Sequence, residues 1–197
     1  NNHFYAAVPT MGVDPWGLQE YDPTNDTLLV ATVIVGWETI GFDFSARRGN
    51  RSLLSSDVSD ENAPQAEINA LKTSSKFTDV FNDSYFSNIY DQVGIGNNYS
   101  LDGTHGTNVN YGSGPLPSDL GWSYGNLTYG VTGSFSWVTV DGVEGWKTTA
   151  TFSVSDAYDF VANSGNPAIA AFNRLQTNGF ASIYNTNVNF SLMFDEF

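Results

Sequence analysis

The residues best suited to chemistry are Asp156, Tyr158 and Asp159, which directly follow a segment that alternates like a β-strand. Successive strand side chains point to opposite faces, so Asp156 and Tyr158 share one face, while a bend at the strand end gathers all three. Two carboxylates placed in this way can hold a hard divalent cation through their oxygens, or one of them can activate water. The alternative is that both aspartates are turn residues and that Tyr158 belongs to the core.

Two further groups are candidates for binding or catalysis. Arg47, Arg48 and Arg51 form the only basic cluster and fall in the polar stretch 45–62. Such a cluster can grip a phosphate or a carboxylate, although in an acidic protein it is more often a solvated loop. His105, between glycine-rich neighbours, is suited to be a general base or a metal ligand, or is plain surface.

Composition excludes several classes of function. Lys and Arg number 7 against 21 Asp and Glu, giving a formal net charge of -14, which repels nucleic acid and anionic membranes. With Cys 0, neither a disulfide nor a thiolate nucleophile is available. The longest apolar run, residues 28–35, is too short to span a bilayer. The first residues lack the basic and apolar regions of a signal peptide, so we expect a mature product or an excised fragment.

The elements that position the candidate residues are mainly strands. Residues 28–44 are rich in β-branched residues and predict a buried strand with bends at Gly36 and Gly41. From residue 125 the alternation predicts a strand, a tight turn at Asp141-Gly142 and a return strand. On that return strand we expect one buried face, made of Trp146, Thr148, Ala150, Phe152 and Val154.

The remaining segments complete an expected β-rich α+β fold. A short helix is predicted from Pro64 to Lys76, and a second begins with Asn166 as its cap and Pro167 in its first turn. Residues 77–93 are ambiguous, 94–121 read as loop, and 187–194 alternate as a last strand. The expected architecture is an open, β-barrel-like antiparallel sheet with two or three short helices.

From Tyr124 to the end, the chain resembles the catalytic domain of the colicin M family of lipid II-degrading bacteriocins. The resemblance is carried by a strand that opens with Gly125-Asn126-Leu127-Thr128, a hairpin, an Asp-x-Tyr-Asp-Phe motif and a later Arg-Leu pair. In this sequence the last two are Asp156-Ala157-Tyr158-Asp159-Phe160 and Arg174-Leu175.

This resemblance implies a reaction and a set of site residues. The family cuts the bond between the polyprenol and the pyrophosphate of lipid II with Mg²⁺, which implies Asp156 and Asp159 as metal ligands and Tyr158 as their catalytic partner. The family also carries an essential His-Arg pair, where this chain has Gly165 and Asn166. Arg174 and His105 are the candidates to replace that pair.

A second resemblance lies at the start of the chain. Asp14-Pro15-Trp16-Gly17-Leu18 is similar to the motif that closes an Rhs/YD-repeat core and precedes a variable C-terminal toxin. It implies that residues 1–18 end such a core, that cleavage follows them, and that 19–197 form a single toxin domain with its colicin M-like region from about residue 122.

Three functions remain open on the sequence alone. The first is an Rhs-type antibacterial toxin that acts on lipid II, or on another polyprenyl-phosphate substrate, in the periplasm of the target cell, with an immunity protein as partner. The second is a non-enzymatic acidic β-domain that binds carbohydrate or a cell surface through exposed Trp and Tyr. The third is a toxin of related fold whose activity has changed or been lost.

Overall fold

The computed structural model describes residues 21–54, 58–103, 106–112, 118–160 and 165–196. The helices in these ranges are α1 (Thr24–Thr39), α2 (Asp43–Leu54), α3 (Gln65–Thr73), α4 (Ser75–Val80), α5 (Ser87–Val93), α6 (Asp119–Tyr124) and α7 (Pro167–Thr177), with a π-helical segment at Phe81–Phe86 between α4 and α5. The strands are β1 (Glu61–Asn62), β2 (Tyr99–Asp102), β3 (Thr107–Asn110), β4 (Asn126–Val140), β5 (Val143–Ala157) and β6 (Asn185–Glu196). The expected β-rich α+β class is confirmed, and the helices outnumber those predicted.

The six strands form one open sheet in the order β1-β6-β5-β4-β2, with β3 also paired to β4. All pairs are antiparallel except β1 with β6. The centre of the sheet is the predicted hairpin of β4 and β5, whose register begins at Val140 opposite Val143. Asp141 and Gly142 connect the strands with φ of 52° and 82°, the positive values that a type I′ turn requires.

The inner face of the sheet packs against α3, α4, α5 and the π-helical segment. The alternation predicted for β5 is confirmed, since Trp146, Thr148, Ala150 and Phe152 are buried and Val154, which is half-buried, packs against the same core. Aromatic rings dominate this larger core: the centroids of Phe81 and Phe152 lie 4.8 Å apart. Edge-to-face pairs of this kind stabilise a core beyond the apolar area that they bury.

A second, smaller core lies among α1, α2 and α7. On α1 it buries Val30, Ile34 and Trp37, which are spaced by four and three residues and therefore share one side of the helix. Helix α7 contributes Phe172 and Leu175. The two cores meet where the chain leaves β5, at the candidate site.

The strand predicted over 28–44 is wrong, because these residues form α1 and the start of α2. Gly36 lies inside α1, and only Gly41, at φ 77°, makes the predicted bend. Apolar residues lie all around this helix, and its outer side leaves Leu28 and Val35 more than half exposed. Because apolar residues surround the helix, the sequence shows no helical periodicity here. The uninterrupted apolar run is then indistinguishable from that of a buried strand.

Other segments were predicted with mixed success. The polar stretch 45–62 is mostly helical rather than loop, and the ambiguous stretch 77–93 is helical. Segment 94–121 contains β2, β3 and the start of α6 where loop was expected. The helices after Pro64 and Asn166 are confirmed, and so is the last strand. None of the described helices is both long and apolar enough to cross a membrane.

Candidate functional site

Asp156, Tyr158 and Asp159 lie where β5 ends and the chain turns towards α7. Asp156 is still within the sheet, opposite Thr186 of β6. The amide of Tyr158 donates to the carbonyl of Tyr184 at 2.8 Å, which extends the contact between the two segments beyond the regular ladder. The amide of Asp159 then donates to the carbonyl of Ala157 at 3.0 Å, so the chain bends here. Backbone hydrogen bonds thus fix the path of all three residues.

The side chains of these three residues have very different surroundings. Asp156 is partly buried and Tyr158 almost fully buried, and both contact Arg48, while Asp159 is exposed. The ring of Tyr158 lies 5.0 Å from that of Phe160 and 5.7 Å from that of Tyr184, and burial raises the pKa of its hydroxyl. Tyr158 therefore belongs to the smaller core, and the two carboxylates are the groups nearest to solvent.

Arg48 is the cation of this site, and its side chain is 0% exposed. Its Nη2 donates to Oδ2 of Asp156 at 2.9 Å, and its Nη1 donates to the carbonyl oxygen of Ser123. The guanidinium carbon lies 4.4 Å from the ring centroid of Tyr124 and 4.8 Å from that of Tyr158. Two aromatic faces and two acceptors therefore replace part of the water that a buried cation loses, while Nε of Arg48 has no hydrogen-bond partner among the described residues.

The expectation that Arg47, Arg48 and Arg51 form a solvated loop is wrong. All three lie on α2 and bind carboxylates or carbonyls of the protein itself. Arg47 bridges Glu61 at 2.8 Å and the buried Glu67 at 2.6 Å, while Nε of Arg51 lies 3.4 Å from Glu61. The partners are distant in sequence, so no local pattern signals them.

Burial raises the pKa of Asp156 from 3.8 to about 6, against the lowering by Arg48 and with a smaller upward contribution from nearby Asp159. The folded state therefore holds this proton more tightly than the unfolded chain does. Between about pH 4 and pH 6 this group alone reduces the free energy of unfolding as the pH rises, by up to about 3 kcal/mol.

We expect a carboxyl ¹³C titration of the metal-free protein to place Asp156 near pH 6. Asp60 is the internal reference, because a backbone hydrogen bond from Asn185, followed by one from its side chain, lowers the pKa of Asp60. An Asp156 midpoint at or below that of Asp60 would show that the ion pair with Arg48 outweighs burial.

The other predicted site residues lie elsewhere or outside the described ranges. Arg174 is exposed on α7 and binds Asp26 of α1 through contacts of 2.7 and 2.6 Å, so its charge is already engaged. Asn166 caps α7, its Oδ1 accepting from the amide of Ala168 at 2.9 Å. His105 and the motif at residues 14–18 lie outside the described residues.

A magnesium ion would find two carboxylates here. Within the described ranges, no group of three or more His, Asp or Glu side chains is arranged to hold a metal. Mg²⁺, however, is commonly held by one or two carboxylates together with water and substrate phosphates. Asp156 and Asp159 suit that mode of binding. One oxygen of Asp156 binds Arg48 and the other makes no described hydrogen bond, while Asp159 is exposed.

Among the described residues, Tyr99 is exposed but no tryptophan is. Trp37 and Trp146 are buried, and Trp122 and Trp137 are half-buried. The outer face of the sheet instead carries an open groove of amide, hydroxyl and aliphatic side chains, which sequence reasoning missed: Asn62, Thr128, Ser153, Val154, Ser155, Asn187, Val188 and Asn189. Strand alternation predicts the outward positions Ser153, Ser155, Asn187 and Asn189, whereas Val154 and Val188 point towards the larger core. The register that aligns the outward positions is not visible in the sequence.

The comparisons with known proteins concern families, curated proteins and solved structures. No family model matches the chain, and no curated protein does. The chain is similar to PaeM, a colicin M-like bacteriocin produced by Pseudomonas aeruginosa, at 16% identity and a TM-score of 0.39. The likeness covers 77% of this chain and 50% of that protein, so the chain matches about half of its length. A likeness at this level assigns neither a family nor an activity to the chain.

Proposed function

We propose that this chain is an antibacterial toxin domain that hydrolyses the linkage between polyprenol and pyrophosphate in lipid II and so blocks peptidoglycan synthesis. The observation that carries the proposal is the arrangement of the two motif carboxylates. Asp156 is held by the buried cation Arg48, and Asp159 stands beside it in solvent. The motif resemblance noted above supplies the substrate, and the arrangement supplies groups suited to it.

Each carboxylate has a role in this proposal. The reaction adds one water across the ester bond and yields free polyprenol and the pyrophosphorylated headgroup. Asp159, exposed and beyond the end of the strand, orients the attacking water and accepts its proton. Asp156, fixed by the sheet and by Arg48, faces the pyrophosphate. A bound Mg²⁺ would offset the negative charge of that pyrophosphate, and Asp156 and Asp159 would hold it.

The proposal also includes the delivery of the toxin and its partner proteins. The motif at 14–18 supports release from an Rhs shell, and the site of action is the periplasm of the target cell. A producer of such a toxin needs an immunity protein. A protein with net charge -14 does not cross a membrane unaided, so the toxin must be delivered to that compartment.

The direct test is to incubate the purified chain with lipid II and Mg²⁺ and to measure free polyprenol. We expect release that needs Mg²⁺ and stops with EDTA. In parallel, the chain is expressed in bacteria with and without an export signal, and we expect killing only when it is exported. Both results together would establish the proposed reaction and its compartment.

Other outcomes select among the alternatives. Killing on export without polyprenol release would favour a related toxin with different chemistry. A specific observation supports that candidate: Gly165 and Asn166 bring no cation to the site, and Asn166 serves as a helix cap. Absence of both effects would favour the non-enzymatic binding domain.

A further inference from the structure

Arg48 holds one particular oxygen of Asp156. Its Nη2 binds Oδ2 at 2.9 Å, and the described residues make no hydrogen bond to Oδ1. The Asp156 side chain keeps 18% of its surface exposed while that of Arg48 has none. The carboxylate is therefore two-sided, with one oxygen turned to the protein interior and the other left for a ligand or substrate.

The guanidinium is itself held from several directions. Nη1 is fixed by the carbonyl of Ser123, and the rings of Tyr124 and Tyr158 lie on the group at 4.4 and 4.8 Å. The backbone carbonyl of Arg48 also accepts from the hydroxyl of Tyr184 at 3.2 Å. A group with so little freedom can determine the orientation of the carboxylate that it binds.

We propose that Arg48 is a positioning residue of the site, which locks Oδ2 of Asp156 inward so that Oδ1 faces the reacting pyrophosphate. The orientation of Asp156 follows from the geometry alone, whereas its effect on catalysis rests on the proposed function. The Arg48 side chain has no surface exposed to solvent. It acts only through Asp156.

Lysine cannot reproduce this arrangement. A guanidinium is planar and donates from two nitrogens at fixed angles, so one group serves Ser123 and Asp156 together while its faces lie against tyrosine rings. An ammonium carries the same charge at a single point on a flexible stem. Arg48→Lys therefore keeps the charge and loses the orientation, which separates the two contributions.

Arg47 provides a matched control on the same helix. It also forms ion pairs, with Glu61 and the buried Glu67, and it has no described contact with Asp156. Arg47→Lys removes a partly buried guanidinium that also makes several bonds to the protein. If loss of such a group affects only stability, the two variants should behave alike.

The experiment compares kcat, KM and melting temperature for the wild type, Arg48→Lys and Arg47→Lys on lipid II. We expect Arg48→Lys to lower kcat about 10- to 100-fold and to leave KM within about threefold of the wild-type value. Losses of this size are typical of residues that orient the groups in direct contact with a metal or substrate. Arg47→Lys should keep the kcat of the wild type, even if its melting temperature falls as much as that of Arg48→Lys. Equal kcat in both variants would overturn the proposal.

Two additions keep the outcome decisive. Arg48→Gln retains an uncharged donor and is used if the lysine variant does not fold; failure of both to fold would overturn positioning in favour of a purely structural role. If the wild type releases no polyprenol, the proposed function fails, and crystal structures decide the orientation. We expect one Asp156 conformer in the wild type and in Arg47→Lys, and several in Arg48→Lys. A single, wild-type orientation of the Asp156 side chain in Arg48→Lys would overturn the inference.

Discussion

Asp159→Asn should lower kcat for polyprenol release by about 100-fold or more, within the range that loss of a general base produces. The amide has nearly the same shape as the carboxylate, but it carries no negative charge and cannot accept the proton of water. Because Asp159 is exposed, the substitution should change the free energy of unfolding by no more than about 0.5 kcal/mol. Steady-state kinetics on lipid II and urea denaturation measure the two quantities.

Asp79→Asn is the control for this variant. Asp79 is an exposed carboxylate on α4, away from the end of β5, so the same change of charge there should leave kcat unaltered. Retention of activity by Asp159→Asn would remove Asp159 from the reaction. Equal losses in both variants would point to an effect of net charge on association with the substrate.

Gly133→Ala should destabilise the protein by about 3 kcal/mol or more, a value typical of backbone strain combined with a forced clash. Gly133 lies in β4 opposite Ala150 with φ at +141°, and a Cβ built there would stand 2.0 Å from the carbonyl oxygen of Thr149. That oxygen belongs to the central strand β5, which is paired on both sides and cannot withdraw without breaking the ladder. Urea denaturation followed by circular dichroism measures the loss.

Gly36→Ala provides the opposite result in the same assay. Gly36 is an exposed residue within α1, and a Cβ there would meet no atom within 4 Å. Alanine should therefore stabilise the helix by about 0.5–1 kcal/mol, because it loses less backbone entropy on folding. A Gly133→Ala protein within about 1 kcal/mol of the wild type would mean that β4 and β5 separate more easily than their register suggests.

The parts of the fold that sequence predicts well are those with local causes. Strict alternation and the Asp141-Gly142 turn specify the hairpin of β4 and β5 from neighbouring residues alone. The cap at Asn166 followed by Pro167 specifies the start of α7 in the same way. In each case the determining contact lies within a few residues along the chain.

The parts that sequence misses depend on distant partners. A run rich in Val and Ile favours a strand locally, yet α1 forms because α2 and α7 cover Val30, Ile34 and Trp37. Arg48 stands in a polar stretch that resembles a solvated loop, and its partner Asp156 lies 108 residues away. Pairing over such a distance leaves no periodicity, so only the tertiary structure reveals it.

The wide sequence separation of the groups that meet at β5 has a consequence for synthesis of the protein. The amide of Ser182 donates to the carbonyl of Ser52, and α1 packs on α7, so the smaller core joins early segments to late ones. A ribosome must release α7 and the following segment before Arg48 can be enclosed. Until then nothing fixes the orientation of Asp156, so this carboxylate is held in place only late in translation.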